Sequence, residues 1–243
     1  MRIYVQVRLK SSNTILPFDH QYYLASYIYR TLEKVDSYYA LELHKPFRYK
    51  FFTFSYIMSK ERSVVKKGVL IRGNEVYFFV SSPDAKFLKT LIEAMLNSPE
   101  IKIKNLEGIV SEIRVLEKPK FEKTTKFKTL SPILVRKPVR KGKKLRGKEL
   151  YPTDKEFCER LASNTIKKFC KFYEIDKALE KLKNFISIKF LNFKAKRHRI
   201  INTYHRCVLG EFIVEGNKDL IEFVYDCGFG EKNSMGFGMV KKI

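Results

Sequence analysis

The chain has 243 residues, enough for one large domain or two of about 120, and 44% of them are apolar, an ordinary core. Forty-nine Lys and Arg face 26 acidic residues, so the net charge is +23 and a polyanionic partner is called for. No apolar run approaches the ~18–20 residues of a membrane-spanning helix. Met1-Arg2-Ile3-Tyr4-Val5-Gln6 reads as an amphipathic strand and not a signal peptide. These features exclude a membrane protein and favour a cytoplasmic nucleic-acid binder.

Residues 2–9 alternate as a strand does. Asp19 is placed to cap a helix whose Leu24, Ile28 and Leu32 recur at four-residue spacing. Strand-like segments follow at 51–57, 68–72 and 76–81. Ser82-Pro83-Asp84 starts a second helix, with Pro at its first position and a buried stripe of Phe87, Leu88, Leu91, Ile92 and Met95. A strand at about 109–116 and the linker Glu117-Lys118-Pro119-Lys120 close the first half.

The second half repeats the theme. A strand over 126–135 leads into the basic segment 136–148, and Thr153-Asp154-Lys155-Glu156 fits a capping box for a helix to about 172. Strands near 185–194 and 200–214 follow, then a short helix capped by Asn217 and ended by Gly228, and a closing strand over 237–242. The simplest reading is α+β: two tandem ferredoxin-like (β-α-β-β-α-β) domains, residues 1–120 and 121–243, the second with a C-terminal Gly-rich loop. The four cysteines stand alone, without the close pairs of zinc sites, and read as buried hydrophobes.

Chemistry concentrates in three places. Gly228-Phe229-Gly230-Glu231-Lys232-Asn233-Ser234-Met235-Gly236-Phe237-Gly238 packs four glycines and a lysine between a helix and a strand, the reverse of the Walker and Rossmann order. Glycine lets a backbone approach closely, so Gly228, Gly230, Gly236 and Gly238, with Lys232, could offer amides and charge to nucleic-acid phosphates. A Gly-rich turn is the plain alternative. The segment 136–148 carries eight cations and no acid, among them Arg136, Lys137, Arg140, Lys143, Lys144 and Arg146. A second cluster, Lys194, Lys196, Arg197 and Arg199 around His198, falls in an expected β-hairpin. Each phosphate contact releases counterions, so binding should depend steeply on salt.

Carboxylates do not cluster as a two-metal nuclease requires, and no Gly-x-Ser-x-Gly or His-Glu-x-x-His motif occurs. No metal or other cofactor is expected. Among the four histidines His44 is best placed, in the polar stretch Leu43-His44-Lys45-Pro46 after the first helix. Tyr29 lies at the edge of that helix's buried stripe, and Lys50 precedes the next strand-like segment. A Tyr, a His and a Lys suffice for attack of an RNA 2′-hydroxyl on its own 3′-phosphate, given a base, an acid and a fixed cation. Spacing alone does not single them out, because the chain has 14 tyrosines.

The chain resembles the CRISPR repeat-processing endoribonucleases of the RAMP superfamily over nearly its whole length. The likeness rests on Pro17-Phe18-Asp19-His20-Gln21-Tyr22-Tyr23-Leu24, Ile28-Tyr29, Leu43-His44, Lys50-Phe51-Phe52-Thr53-Phe54-Ser55, Leu130-Ser131-Pro132-Ile133 and above all Gly228 to Val240. It implies two ferredoxin-like domains and metal-independent cleavage inside CRISPR repeats, leaving a 5′-hydroxyl and a 2′,3′-cyclic phosphate. The family's catalytic positions fall on Tyr29, His44 and Lys50. By that likeness Tyr29 is the base or orients the 2′-hydroxyl, His44 is the acid (or the base in a swapped scheme), and Lys50 stabilises charge. The implied partner is CRISPR repeat RNA, and both a homodimer and hand-over to a CRISPR effector complex are compatible with it. The alternative is a catalytically inactive RNA-binding subunit of such a complex. A translation-associated RNA-binding protein on the same fold class stands further off.

Overall fold

A computed structural model describes residues 1–45, 49–142, 144–175 and 186–243, apart from the side chains of His44, Lys141, Lys144 and Leu145. The architecture is mixed α and β, in two compact units. One comprises Met1–Lys118 with Ser234–Gly236, and the other Pro119–Asn233 with Phe237–Ile243.

In the first unit the elements run β1 (Arg2–Leu9), β2 (Thr14–Leu16), α1 (His20–Glu33), α2 (Ser37–His44), β3 (Thr53–Phe54), β4 (Arg62–Val65), β5 (Gly68–Ile71), β6 (Glu75–Ser81), α3 (Ala85–Asn97), β7 (Glu100–Ile103) and β8 (Leu106–Leu116). An antiparallel sheet of order β3-β6-β1-β8-β7 forms its base, and β2-β5-β4 make a separate small sheet. Period-two alternation in β1 sends Ile3, Val5 and Val7 into the core with Leu24, Ile28 and Leu32 of α1 and Phe87, Leu88, Leu91 and Met95 of α3. Phe52 stacks on Phe87 at 4.3 Å between ring centres.

The second unit runs β9 (Thr124–Thr129), β10 (Arg136–Lys141), β11 (Lys144–Glu149), α4 (Phe157–Phe172), β12 (Ile186–Ile200), β13 (Thr203–Gly216), α5 (Lys218–Cys227) and β14 (Val240–Lys242). Its main sheet has the order β12-β13-β9-β14, while β10 and β11 form a two-stranded ribbon. Phe127, Phe212 and Phe229 meet at its centre, with the Phe127 and Phe212 rings 5.0–5.9 Å from their neighbours in the trio.

Several local expectations change. The polar stretch around His44 is not a loop after a single helix: Asp36 accepts a bond from Tyr39 N at 2.8 Å and caps a second helix, which His44 ends. Asp84 caps α3, accepting from Lys86 N and Phe87 N, so Pro83 lies before the helix and not at its first position. The capping box before α4 does not form: Asp154 accepts from Tyr151 N at 2.7 Å, and Glu156 turns to Lys137 and Arg160. The strand expected over 126–135 stops at Thr129, before Pro132, which has no amide hydrogen for a ladder. Asn217 caps α5 as expected, and Gly228 takes a positive φ of 89° with an extended ψ of 151°. Among the described residues no helix is long and apolar enough to cross a membrane.

Candidate functional site

Tyr29 follows fully buried Ile28 on α1, so the helical turn brings it to the edge of the core, half-buried. Its ring meets Phe52 edge-on at 5.7 Å. Burial pushes its pKa up, and the Ser234 side chain opposes that effect. Lys50, two residues before Phe52, is also half-buried; its ammonium donates to the carbonyl of Lys45 at 3.2 Å. Burial lowers its pKa. Lys45 directly follows His44, so Lys50 is fastened to the backbone where α2 ends. The stretch 50–52 thus links Tyr29 to the end of α2. The His44 side chain lies outside the described residues.

The Gly-rich loop is put to a different use from the one its composition suggested. Gly228, Gly230, Gly236 and Gly238 are all buried. The amide of Gly228 is bonded to Val224 O and that of Gly238 to Pro132 O, so neither is offered to a phosphate. At Gly238 (φ +81°) a Cβ would stand 1.9 Å from Phe229 O, and at Gly230 (φ +71°) 2.5 Å from Leu134 O. Gly238 is there because the loop folds tightly on itself, and Gly230 because the backbone of Leu134 passes close by. Asn233 holds it from inside, donating Nδ2 to the carbonyls of Phe229 and Phe237, each at 3.0 Å.

A buried cation completes the clasp. Lys168 of α4, 2% exposed, donates to Gly228 O, to Gly230 O at 3.2 Å and to Asn233 Oδ1 at 3.0 Å. Burial depresses its pKa, and the nearby Cys227 opposes that effect. Sequence reasoning missed Lys168. The signal was present: it lies three residues after Thr165 and seven after Leu161, both buried, which is core-facing helical spacing.

The basic segment 136–148 forms the ribbon β10–β11, whose turn holds Gly142 at φ +61°. Its first two cations are engaged within the unit. Arg136 bonds Glu231 through Nε at 2.8 Å and Nη2 at 2.5 Å, while Glu231 also accepts from Arg136 N. Lys137 stands opposite Lys148 in the register, and its 2.7 Å pair with Glu156 offsets that repulsion. Arg140, Arg146 and Lys148 are exposed. Lys143 and the side chain of Lys144 lie outside the described residues. Lys232 is half-buried in a left-handed conformation (φ +58°), its pKa lowered by burial and by the Arg136 charge.

The second cluster does fall in a hairpin, but its cations divide between two faces. Successive strand residues point to opposite sides, so Lys194 and Lys196 share a face with buried His198, while Arg197 and Arg199 share the other. The register adds Arg206 opposite Arg197 and Tyr204 opposite Arg199. Arg197 lies over the Tyr204 ring at 4.0 Å. This exposed face of three arginines and a half-exposed tyrosine was not legible without the register. Glu149, at the end of β11, ties the ribbon to β13: it meets His205 Nδ1 at 2.8 Å and accepts from Arg206 N at 2.9 Å. Among the described residues no group of three or more His, Cys, Asp or Glu is placed to hold a metal ion.

The chain is similar in sequence and fold to known proteins. Profiles described as CRISPR-associated protein Cas6, N-terminal, and CRISPR associated protein Cas6, C-terminal, match residues 15–114 and 116–242. The CRISPR-associated endoribonuclease Cas6 1 of Methanocaldococcus jannaschii is 37% identical over 241 residues, 98% of this chain and 92% of its own. A solved structure described as an RAMP protein binding different RNA substrates is similar with a TM-score of 0.91 and 33% identity, over 100% of this chain and 99% of that one. Another, described as CRISPR associated protein Cas6, gives a TM-score of 0.86 and 36% identity over 100% and 99%.

Proposed function

Because the chain belongs to the Cas6 family of CRISPR-associated proteins, we propose that it is a metal-independent endoribonuclease cutting CRISPR precursor RNA within the repeats. The 2′-hydroxyl of the nucleotide before the cut attacks the adjacent phosphorus. Tyr29 takes its proton or orients it, and His44 gives a proton to the departing 5′-oxygen. The P–O5′ bond breaks as the P–O2′ bond forms, leaving a 2′,3′-cyclic phosphate and a 5′-hydroxyl. Lys50 stabilises the extra negative charge on the phosphoryl oxygens as it develops.

The observation that carries this reading is the arrangement around residues 50–52. Tyr29 and Lys50 are both half-buried, and the Lys50 ammonium is held on the Lys45 carbonyl, next to the backbone of His44. Fixed, partly desolvated groups stabilise charge better than mobile, hydrated ones. Each unit is read as a ferredoxin-like domain, with the boundary at the linker 117–120. The strand orders β3-β6-β1-β8 and β12-β13-β9-β14, with two helices as crossovers in each, support that.

RNA binding is assigned to the exposed cations of the second unit: Arg140 and Arg146 with Lys148 on the ribbon, and Arg197, Arg199 and Arg206 beside Tyr204 on the hairpin. Lys194 and Lys196, on the other face of the hairpin, and Lys232 are further candidates. The four loop glycines serve by shaping the segment that carries Lys232.

The test is His44→Ala. Single-turnover cleavage of a repeat RNA should slow by about 10²-fold or more, with affinity for the RNA within twofold of the parent. Affinity lost in step with cleavage would refute an acid–base role. Tight binding by a parent protein that does not cleave would leave the second reading, an RNA-holding subunit.

A further inference from the structure

The hairpin β12–β13 turns through two residues, since Ile200 stands opposite Thr203, and beside that turn one face carries Arg197, Arg199, Tyr204 and Arg206. Tyr204 is 50% exposed. Arg197 lies over one face of its ring at 4.0 Å, and Arg199 stands 5.9 Å from the ring centre. Arg199 is itself held at the turn, its Nε donating to Ile201 O at 2.6 Å.

The register sets Arg197 directly opposite Arg206, and like charges so placed on two strands destabilise the pair. On the ribbon the same conflict, between Lys137 and Lys148, is offset by Glu156. The hairpin has no such relief. Among the described residues no carboxylate pairs with Arg197, Arg199 or Arg206, and Glu149 accepts from the backbone of Arg206. An anion seated among the arginines would lift the repulsion, and a phosphate fits the guanidinium fork.

A half-exposed ring beside phosphate-binding cations suits a nucleotide whose base is out of the stack. Every base has a π-face that can lie on a tyrosine ring, but in a helix those faces are taken by the neighbouring pairs. Same-face neighbours on one strand are ~7 Å apart and directly opposite residues ~5 Å. The ring and the three cations therefore fall within reach of one nucleotide and its flanking phosphates.

We propose that Tyr204 is a stacking platform for one unpaired RNA base, with Arg197, Arg199 and Arg206 on the phosphates beside it, so that the hairpin selects single-stranded over paired RNA. This rests on the reading of that face as RNA-binding and adds to it the state of the nucleotide that the face accepts.

The experiment measures affinity across a salt series for the repeat RNA alone and for the same strand annealed to its full complement. The proteins are the parent, Tyr204→Ala, Tyr204→Leu, Tyr204→Phe and the Arg197→Gln/Arg199→Gln/Arg206→Gln triple variant. Tyr204→Ala should weaken binding of the single strand about fivefold to a hundredfold, the loss of one stacked base, with the salt slope unchanged and duplex binding within twofold. Tyr204→Leu, which keeps apolar bulk without a ring, should behave as the alanine does, and Tyr204→Phe as the parent does. The triple variant should lower the slope for the single strand by about 2. If the triple variant lowers that slope but Tyr204→Ala binds the single strand as the parent does, or weakens both RNAs equally, the stacking role is wrong while the RNA reading of the face stands. If the triple variant changes neither affinity nor slope, both fall.

Discussion

The Gly-rich loop and the basic ribbon both look like nucleic-acid binders in one dimension, and the fold uses them in opposite ways. Residues 228–240 are almost entirely buried, and a lysine and an asparagine occupy the loop's carbonyls from inside. Residues 136–149 stand out as a two-stranded ribbon, with Arg140, Arg146 and Lys148 exposed. Glycine in the first allows close packing of backbone on backbone; charge in the second stays in water, where a phosphate can reach it. Composition marks a segment as special, and burial decides what it is special for. The pair Arg136–Glu231 joins the two, since one partner begins the ribbon and the other lies in the loop.

Substitutions should separate the two regions cleanly. The largest effect is expected at Gly238: an alanine there meets Phe229 O and is held at φ +81°. It should cost roughly 3 kcal/mol or more and lower the thermal midpoint by roughly 10 °C. A midpoint within a degree of the parent would mean that the loop is not packed as described. Lys168→Met comes next. It strands three buried acceptors while relieving a desolvated charge, and should cost about 2 kcal/mol.

Lys168 also has a pH signature with a definite sign. Its folded-state value lies below the ordinary lysine value, so the unfolded chain binds more protons between the two. Stability should therefore rise with pH across that window, which ends at about 10.4. The methionine variant should lose that contribution, as chemical denaturation across pH would reveal.

On the ribbon the expectation reverses. Arg140→Gln, Arg146→Gln and Lys148→Gln together should leave stability within about 0.5 kcal/mol. The slope of log affinity against log salt should fall by about 2, near 0.7 for each single-strand phosphate that is no longer neutralised. An unchanged slope would move the RNA elsewhere.

Much of the frame was legible in the residues because it follows from periodicity. Leu24, Ile28 and Leu32, the alternation of Ile3, Val5 and Val7, and the Asn217 cap are local signals that the fold obeys. Local signals failed where tertiary partners competed for the same side chain. Glu156 fits a capping box, yet two cations draw it away. The candidate site divides in the same manner. Tyr29 and Lys50 could be named as residue types beside a helix and a strand, but Gln21 meets Gly236 more than 200 positions along the chain, a contact that no local pattern encodes. The arginine face of the hairpin needed the β12–β13 register, in which Arg197 and Arg206 stand opposite one another.

The central claim is that the RNA supplies the nucleophile and the protein supplies the acid, base and cation. It is tested most directly by incubating a single CRISPR-repeat RNA with the protein in excess EDTA, beside the same RNA with one 2′-deoxy substitution at the scissile nucleotide. The expected result is cleavage of the first, giving a 2′,3′-cyclic phosphate and a 5′-hydroxyl, and an intact second RNA bound equally tightly. Cleavage of the deoxy RNA, or cleavage of the first only when a divalent ion is restored, would contradict it.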